Sequence, residues 1–348
     1  MSNDGDAPQA ALSRLPEPSA PVAPRCPLFG RCGGCQLQHV PYAEQLAWKT
    51  AEVQRVLAAT LPEDTIAVEP CVGSPREYGY RSKITPHFPR PRGQIPPIGF
   101  IGVELPRRTI DVTRCPLATD AINEHLTVLR AEVLASITTF KQGSTLLLRD
   151  AASGVTTDYR AVITEEVADL QLQFRAGDFF QNNPFLLPRL AAHVAAEARA
   201  AGARFLVDAY CGSGLLTLAA APGFERAFGV ELSPSSVRWA RENAARNGRD
   251  NCTFLAADAS AIFRDLTVEG ADAAVIVDPP RKGCSPAFTR QLVAFAPRTI
   301  VYVSCNPETQ VRDLVPLRAA GYRVTRVQPF DMFPQTRHLE CVATLARK

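Results

Sequence analysis

Apolar and polar positions change rhythm twice along this chain. Residues 1–25 (MSNDGDAPQAALSRLPEPSAPVAPR) are rich in Ala, Pro and Ser and hold little to bury, which predicts a flexible tail. Over 42–59, Leu46, Val53 and Leu57 recur at helical spacing and predict a helix. From about 66 to 165 the pattern turns to short β-rich pieces broken by Pro and Gly. KITPHF, IGFIGV, RTIDVT, STLLLRD and RAVITEE are examples, and together they predict a small sheet domain. Beyond residue 185 helix and strand alternate. PFLLPRLAAHVAAEARA reads as a helix, ARFLVDAY as a buried strand, LLTLAAAP as a helix start and RAFGVEL as a strand. SPSSVRWARENAARNG is a helix entered through Ser-Pro and left through Asn-Gly. CTFLAAD, ADAAVIVDPP, RTIVYVSCN, YRVTRVQPF and HLECVATLAR supply further strands. Repeated βα units imply a doubly wound, mostly parallel sheet with its site at the strand C-terminal ends. The expected organisation is a tail (1–25), a small β-rich domain (26–165) and an α/β domain (166–348), with the 42–59 helix free to pack on the α/β domain.

Composition narrows the class. The 348 residues suffice for about two domains at roughly 150 residues each. With 46% hydrophobic and 21% charged residues the chain is neither disordered, fibrous nor membrane-embedded. No apolar run approaches the ~18–20 residues of a membrane span, and the N-terminus lacks the basic-then-apolar order of a secretory signal. The expectation is a cytoplasmic monomer with neither a membrane nor a protein partner. A net charge of +3 is too mild to mark a nucleic-acid binder. Between Pro75 and Arg114, however, eight basic residues (Arg76, Arg81, Lys83, Arg90, Arg92, Arg107, Arg108, Arg114) face three acids (Glu77, Glu104, Asp111). That stretch is either an ordinary solvated surface or a face that tracks phosphates.

The second half carries motifs that pure packing does not require. VDAYCGSGLL (207–216) places Gly212 and Gly214 in the turn after a strand, where backbone amides and a helix N-terminus can approach a ligand. A glycine turn alone is weak evidence. Glu231, ending the next strand, is the discriminating partner, since an acid there can accept hydrogen bonds from both hydroxyls of a ribose. The full GxGxxG spacing is missing and Asp208 precedes the turn, which favours S-adenosylmethionine over NAD because a sulfonium ligand has no pyrophosphate to cradle. Asp258 fits an adenine-contacting slot. VIVDPPRKG (275–283) ends a strand at Asp278 and, read alone, is a rigid loop. Arg281 occupies the position after the two prolines where an amino-group methyltransferase often carries a stacking aromatic. VYVSCNP (301–307) sets Cys305 just past a buried strand, where most cysteines are small apolar fillers. FDMFPQTRHLECVATL (330–345) brings His338 and Glu340 to the start of the last strand, where an isolated glutamate is usually a surface residue.

Ten cysteines in a chain read as cytosolic point to metal or catalysis more than to disulfides. Cys26, Cys32 and Cys35, spaced x5 and x2, could be half a zinc ribbon, and CGGC could be a redox pair. The CxxxCxxC spacing of radical enzymes is not present there.

DAYCGSG, GVE, DPPRKG, SCNP and FPQTRHLE occur in this order, with DFFQNNP (178–184) ahead of them. Together they closely resemble the RNA uracil-C5 (m5U) methyltransferase family over roughly residues 26–348. The resemblance implies a Rossmann-like class I S-adenosylmethionine-dependent methyltransferase domain behind the small β-rich domain. It implies Cys305 as nucleophile and Glu340 as base. It maps binding of the methyl donor onto Gln181, Tyr210, Gly212, Glu231, Asp258 and Asp278, and gives Asp278 and Arg281 further contacts to a flipped uracil. The chemistry demands such groups. Uracil C5 is a poor nucleophile until a thiolate adds to C6, and a base must then remove the C5 proton. A stacked uracil must also flip out to present C6.

Cys115, in a distant CPL, completes with Cys26, Cys32 and Cys35 a four-thiolate set similar to the [4Fe–4S] site of the family's 23S rRNA branch. Four thiolates suit iron–sulfur or zinc, and the resemblance favours iron–sulfur in a structural role. Cys71, Cys211, Cys252, Cys284 and Cys341 are expected to be incidental thiols. Many rRNA-specific members begin with an OB-like (TRAM) barrel, whereas only 25 residues precede Cys26 here, so RNA recognition is expected to fall on the small domain. The expected product is 5-methyluridine in 23S rRNA. The alternatives are the T-loop uridine of tRNA, against which the four cysteines speak, and a catalytically idle iron–sulfur RNA-binding protein, which would need neither Cys305 nor Glu340. Cytosine-C5 methylation is disfavoured, because DPPR stands where that chemistry has Pro-Cys.

Overall fold

The computed structural model describes residues 15–62, 66–104, 108–258, 262–263 and 266–347, so most of the expected tail and Arg107 of the basic stretch lie outside the described residues. Residues 15–25 run along the surface: the Val22 N–H donates to the His39 carbonyl (3.0 Å) and the Arg25 guanidinium lies 4.3 Å from the Tyr78 ring centre.

Helix α1 (Tyr42–Thr60) is followed by strands β1 (Lys83–Ile84), β2 (His87–Phe88), β3 (Gly99–Ile101) and β4 (Thr109–Asp111). Next come helix α2 (Asp120–Ala135) and strands β5 (Ser144–Thr145), β6 (Leu148–Ala151) and β7 (Gly154–Thr156). The strands pair as two small antiparallel sheets, β1-β6-β7 and β4-β3-β2-β5. Helix α2, absent from the strand-rich reading of this region, is capped by Thr119, whose Oγ1 accepts from the Ile122 N–H (3.3 Å), and it packs Ile122 and Leu126 on Ile84 and Leu148.

A hairpin of β8 (Val162–Val167) and β9 (Leu170–Arg175) follows, so the expected domain boundary at 165/166 falls inside a strand. Helices α3 (Leu187–Ala200), α4 (Leu215–Ala220), α5 (Pro234–Arg246), α6 (Pro286–Phe295) and α7 (Pro307–Ala319) then alternate with seven strands. These are β10 (Phe205–Ala209), β11 (Arg226–Glu231), β12 (Cys252–Ala256), β13 (Ala273–Val277), β14 (Thr299–Ser304), β15 (Tyr322–Phe330) and β16 (Glu340–Arg347). The hairpin is tied to α5 by the side-chain carbonyls of Asn243 and Asn247, which accept from the N–H groups of Gln173 (2.7 Å) and Gln171 (2.9 Å). The seven strands form one sheet in the order β12-β11-β10-β13-β14-β16-β15. Neighbours from β12 to β14 are parallel, and β16 runs antiparallel to both β14 and β15. All five residues of β13 (AAVIV) are buried, as expected of a central strand covered on both faces. The strand order reverses between β10 and β13, which opens a crevice at their C-terminal ends.

Three helices begin with one device, a capping residue followed by proline. Ser233, Ser285 and Asn306 accept from the N–H groups of Ser236 (3.3 Å), Phe288 (3.2 Å) and Glu308 (3.2 Å), and the next proline supplies a helical φ where no N–H is needed. Helix α1 docks on the large sheet, against α7 and β15, through Val53, Val56 and Leu57. A fully buried ion pair, Lys49 Nζ to Asp331 Oδ1 at 2.5 Å, joins it to the segment between β15 and β16. Among the described residues no helix is long and apolar enough to cross a membrane.

Candidate active site and cysteine cavity

The crevice is built first from the turn after β10. Tyr210 takes a φ of +66°, a strained setting for a non-glycine residue, and Gly212 (+54°) and Gly214 (+96°) follow in the left-handed region where glycine is favoured. The turn is clasped by Glu231 at the end of β11, whose carboxylate accepts from the N–H groups of Gly212 (3.2 Å) and Ser233 (2.8 Å). A carboxylate has about four acceptor sites, so Glu231 retains capacity for a diol ligand. Tyr210 rests edge-on against Phe288, 5.4 Å between ring centres, and burial raises its hydroxyl pKa, with Asp258 close enough to add to the effect. Beneath the turn, Asp208 is fully buried and accepts from Thr217 Oγ1 (2.6 Å), and burial pushes its carboxyl up to about 7. The other carboxyl oxygen, Oδ1, has no hydrogen-bond partner among the described residues.

The second wall comes from the antiparallel pair β14–β16. The register Val303↔Val342 and Ser304↔Cys341 ends the ladder one residue short of Cys305 on one side and of Glu340 on the other, and the two side chains are close enough for the charge of Glu340 to act on Cys305. Gln310 holds this register by donating to the carbonyls of Tyr302 (2.8 Å) and Cys341 (3.0 Å). Ser304 Oγ accepts from the Asn306 N–H (3.1 Å), which fixes the turn that carries Cys305 into α7. Thr309 Oγ1 donates to the Arg281 carbonyl (3.1 Å) and ties the DPPR loop to the same turn.

Cys305, Glu340, Asp278 and Arg281 form one electrostatic cluster. Burial pushes the Cys305 thiol up to about 12, with Glu340 and Asp278 adding to the rise and Arg281 opposing it. Burial also holds the Glu340 carboxyl well above the usual range, assisted by Asp278 and opposed by a hydrogen bond from Gln181 and by Arg281. Asp278, half-buried, is pushed up to about 7 by burial. Gln181, expected among the donor-binding groups, thus sits on the carboxyl of Glu340. His338 faces Arg281, with 3.5 Å from Nδ1 to the guanidinium, and burial together with Arg281, Arg337, Lys49 and Arg81 pushes its pKa down to about 4. It is therefore neutral at pH 7. A cavity of about 860 Å³ between α6 and α7 is lined by none of the candidate site residues, and the titratable cluster marks the chemistry instead.

The four cysteines named for a metal line a single cavity of about 520 Å³, with Arg81, Arg114, Arg337 and His338 also in its wall. Burial pushes Cys35 up to about 12, with a hydrogen bond from Gln38 opposing and the charges of Cys115, Cys32 and Cys26 adding. Burial raises Cys32 and Cys115 as well, and backbone N–H groups of Gly34, and of Leu117 and Ala118, oppose it. Four sulfurs ringed by backbone donors and guanidinium groups fit the donor set and charge compensation of a tetrathiolate cofactor. Among the described residues no group of His, Cys, Asp or Glu has the arrangement of a metal site as it stands. Of the basic stretch, Lys83 is turned inward onto the Gly177 and Asp178 carbonyls (3.2 Å each) and Arg114 pairs with Asp120 (2.7 Å). Arg90, Arg92 and Arg108 are exposed.

Known proteins match this architecture. The family described as tRNA (Uracil-5-)-methyltransferase matches residues 154–348. The tRNA (uracil(54)-C(5))-methyltransferase of Schizosaccharomyces pombe is 39% identical over 93% of this chain and 65% of its own length. That of Saccharomyces cerevisiae is 32% identical over 92% of this chain and 62% of its own. The chain therefore spans somewhat less than two thirds of these two relatives. An uncharacterized RNA methyltransferase of Gloeobacter violaceus is 32% identical over 92% of this chain and 82% of its own length. The crystal structure of Pyrococcus abyssi tRNA (uracil-54, C5)-methyltransferase in complex with S-adenosyl-L-homocysteine superposes with a TM-score of 0.72 at 26% identity, covering 90% of this chain and 86% of that one. With a domain match over more than half of its length, this chain belongs to the tRNA (uracil-5-)-methyltransferase family.

Proposed function

We propose that this protein forms 5-methyluridine in RNA with S-adenosylmethionine as methyl donor, and that its substrate is the T-loop uridine of tRNA. The observation that supports the chemistry is the electrostatic cluster of Cys305, Glu340, Asp278 and Arg281 at the end of the β14–β16 ladder. The resemblance of the four cysteines put 23S rRNA first in the reading from sequence. The yeast and archaeal relatives, which are tRNA uracil-54 C5-methyltransferases, move the choice to tRNA.

When bound, S-adenosylmethionine supplies a methyl group on a cationic sulfonium, whose charge favours the ionised forms of nearby carboxylates. Tyr210, Gly212, Glu231 and Asp258 line the place for its nucleoside. Cys305 Sγ, once its proton has left, bonds to uracil C6 and the electron pair of the C5–C6 double bond moves into the ring as an enolate. Arg281, beside Cys305, is placed to stabilise that negative charge. C5 then takes the methyl group. Glu340 accepts the C5 proton, the C5–C6 double bond re-forms and Cys305 leaves as thiolate. Gln181 orients Glu340 for that transfer.

The deciding experiment maps 5-methyluridine in RNA from a strain lacking the gene. Loss at tRNA uridine 54 supports the proposal. Loss confined to 23S rRNA supports the second reading, which the four-cysteine cavity favours, and an unchanged map removes both.

We further propose that Cys26, Cys32, Cys35 and Cys115 hold a [4Fe–4S] cluster in a structural role, since the methyl transfer needs no electrons. Anaerobically purified protein is then expected to be brown with about four irons per chain. Colourless protein containing one zinc overturns this.

A further inference from the structure

We propose that Lys49 of α1, remote in sequence from Cys305 and Glu340, is a positioning residue for the carboxylate of Glu340. The inference rests on the reading that Glu340 removes the C5 proton.

Glu340 follows directly on the strap Asp331–Leu339 that links β15 to β16. Lys49 is fully buried and its ammonium reaches both ends of the strap. It donates to Asp331 Oδ1 (2.5 Å), to the His338 carbonyl (2.8 Å) and more weakly to the Phe333 carbonyl (3.4 Å). Three acceptors match the three protons of an ammonium group. The Phe333 N–H also donates to Asp331 Oδ1 (3.2 Å), so the ion pair organises the first turn of the strap as well as its exit.

One turn earlier on the same face, Gln45 engages Gln335 in the middle of the strap. Gln45 Oε1 accepts from the Gln335 N–H (3.1 Å), and its Nε2 donates to Gln335 Oε1 (3.0 Å) and to the carbonyls of Leu37 (3.1 Å) and Val40 (2.9 Å). Gln335 has a φ of +68°, a conformation that a non-glycine residue keeps only where its surroundings over-determine it. Tyr42, one turn further back, accepts from the Ser74 N–H (2.8 Å) and is close enough to Asp331 for that carboxylate to add to the rise that burial gives its hydroxyl pKa. Positions 42, 45 and 49 share one helix face. All three are spent on the segment that delivers the carboxylate.

A buried ion pair is weak evidence for stability, because an apolar pair of similar volume often serves as well. What an apolar pair cannot do is fix two carbonyls and a carboxylate at set points. Lys49 thereby holds the two residues before Glu340 in register with the wall that carries Cys305. A brace of this kind acts on the proton-removal step and leaves donor binding alone.

The test uses Lys49→Met/Asp331→Leu, which removes the pair without stranding a charge, and Lys49→Arg, which keeps the charge but not the shape. Each variant is given RNA with hydrogen or deuterium at uridine C5, and thermal melting and S-adenosylmethionine affinity are measured alongside. In both variants kcat is expected to fall at least about tenfold with donor affinity within about twofold, a covalent RNA adduct to accumulate on denaturing gels, and a C5 isotope effect larger than in the parent protein to appear. Folded variants that keep the parent kcat, or lose kcat without either adduct or isotope effect, overturn the proposal. A control separates the underlying reading. If Glu340→Gln releases methylated RNA at the parent rate with no adduct, Glu340 is not the base and the underlying reading fails, whatever Lys49 does.

Discussion

Cys305→Ala is expected to abolish methyl transfer, by at least about three orders of magnitude in kcat, while leaving S-adenosylmethionine affinity within about twofold. The size follows from the chemistry: without a sulfur at C6 the uracil ring has no enolate, and C5 does not attack the methyl group at a useful rate. Donor binding survives because Cys305 lies on the β14–β16 wall, whereas Glu231 clasps the glycine turn on the other side of the crevice. Single-turnover methyl transfer and equilibrium donor titration measure the two quantities separately. A variant with substantial turnover removes the thiolate from the mechanism, and one that loses donor binding as well means the residue shapes the pocket. The free protein should also keep this thiol unreactive. With its pKa pushed up to about 12, alkylation of Cys305 at pH 7 is expected to be slow and to accelerate about tenfold per pH unit below that value. Activation must therefore come with the bound substrate and donor.

Much of this site is visible in the sequence because each part is carried by a short-range signal. The glycine turn and Glu231 sit at the ends of adjacent strands whose apolar runs are plain, and Ser-Pro marks the start of α5. The same signal stands at Ser285-Pro286 and Asn306-Pro307, where α6 and α7 begin, although neither helix emerges from apolar periodicity alone. What the sequence does not carry is register. Nothing local to SCNP or to HLE says that β16 inserts antiparallel between β14 and β15 with Ser304 opposite Cys341, and that pairing is what brings Cys305 and Glu340 to one end of the sheet. Nor does local pattern separate the basic residues that face solvent from Lys83, which is committed to loop carbonyls. Lys49 did leave a trace. It falls between Leu46 and Val53 on the apolar face of α1, where an unpaired lysine has no place, but its partner lies 282 residues away. The gathering of Cys115 with Cys26, Cys32 and Cys35 is long-range in the same sense, since β1 to β4 must fold before they line one cavity.

Glu340→Gln is expected to stop the reaction one step later. The side chain keeps its length and can still meet the Gln181 amide, so the pocket should assemble, the thiolate should add and C5 should take its methyl group. An amide cannot accept the C5 proton. The adduct between Cys305 and RNA therefore has no exit, and turnover is expected to fall about 10²–10⁴-fold, the usual contribution of a positioned general base. The stalled species is a protein–RNA conjugate that survives denaturing gel electrophoresis and carries the transferred methyl label, whereas Cys305→Ala gives none. The pH dependence has a definite sign. Burial and the neighbouring Asp278 hold the Glu340 carboxyl well above its ordinary range, so its proton stays on until the solution is less acidic than an exposed glutamate would require. Activity that needs the ionised base is thus full on the alkaline side and lost as pH falls through that raised pKa, placing the acid limb of kcat/KM well above the ~4 of an exposed glutamate. The single-turnover rate of adduct formation in Glu340→Gln should lack this limb, because the group that titrates is gone. Clean release of methylated RNA by that variant would assign proton removal to another group, and Asp278, with its carboxyl pushed up to about 7 in the same cluster, would be the residue to replace next.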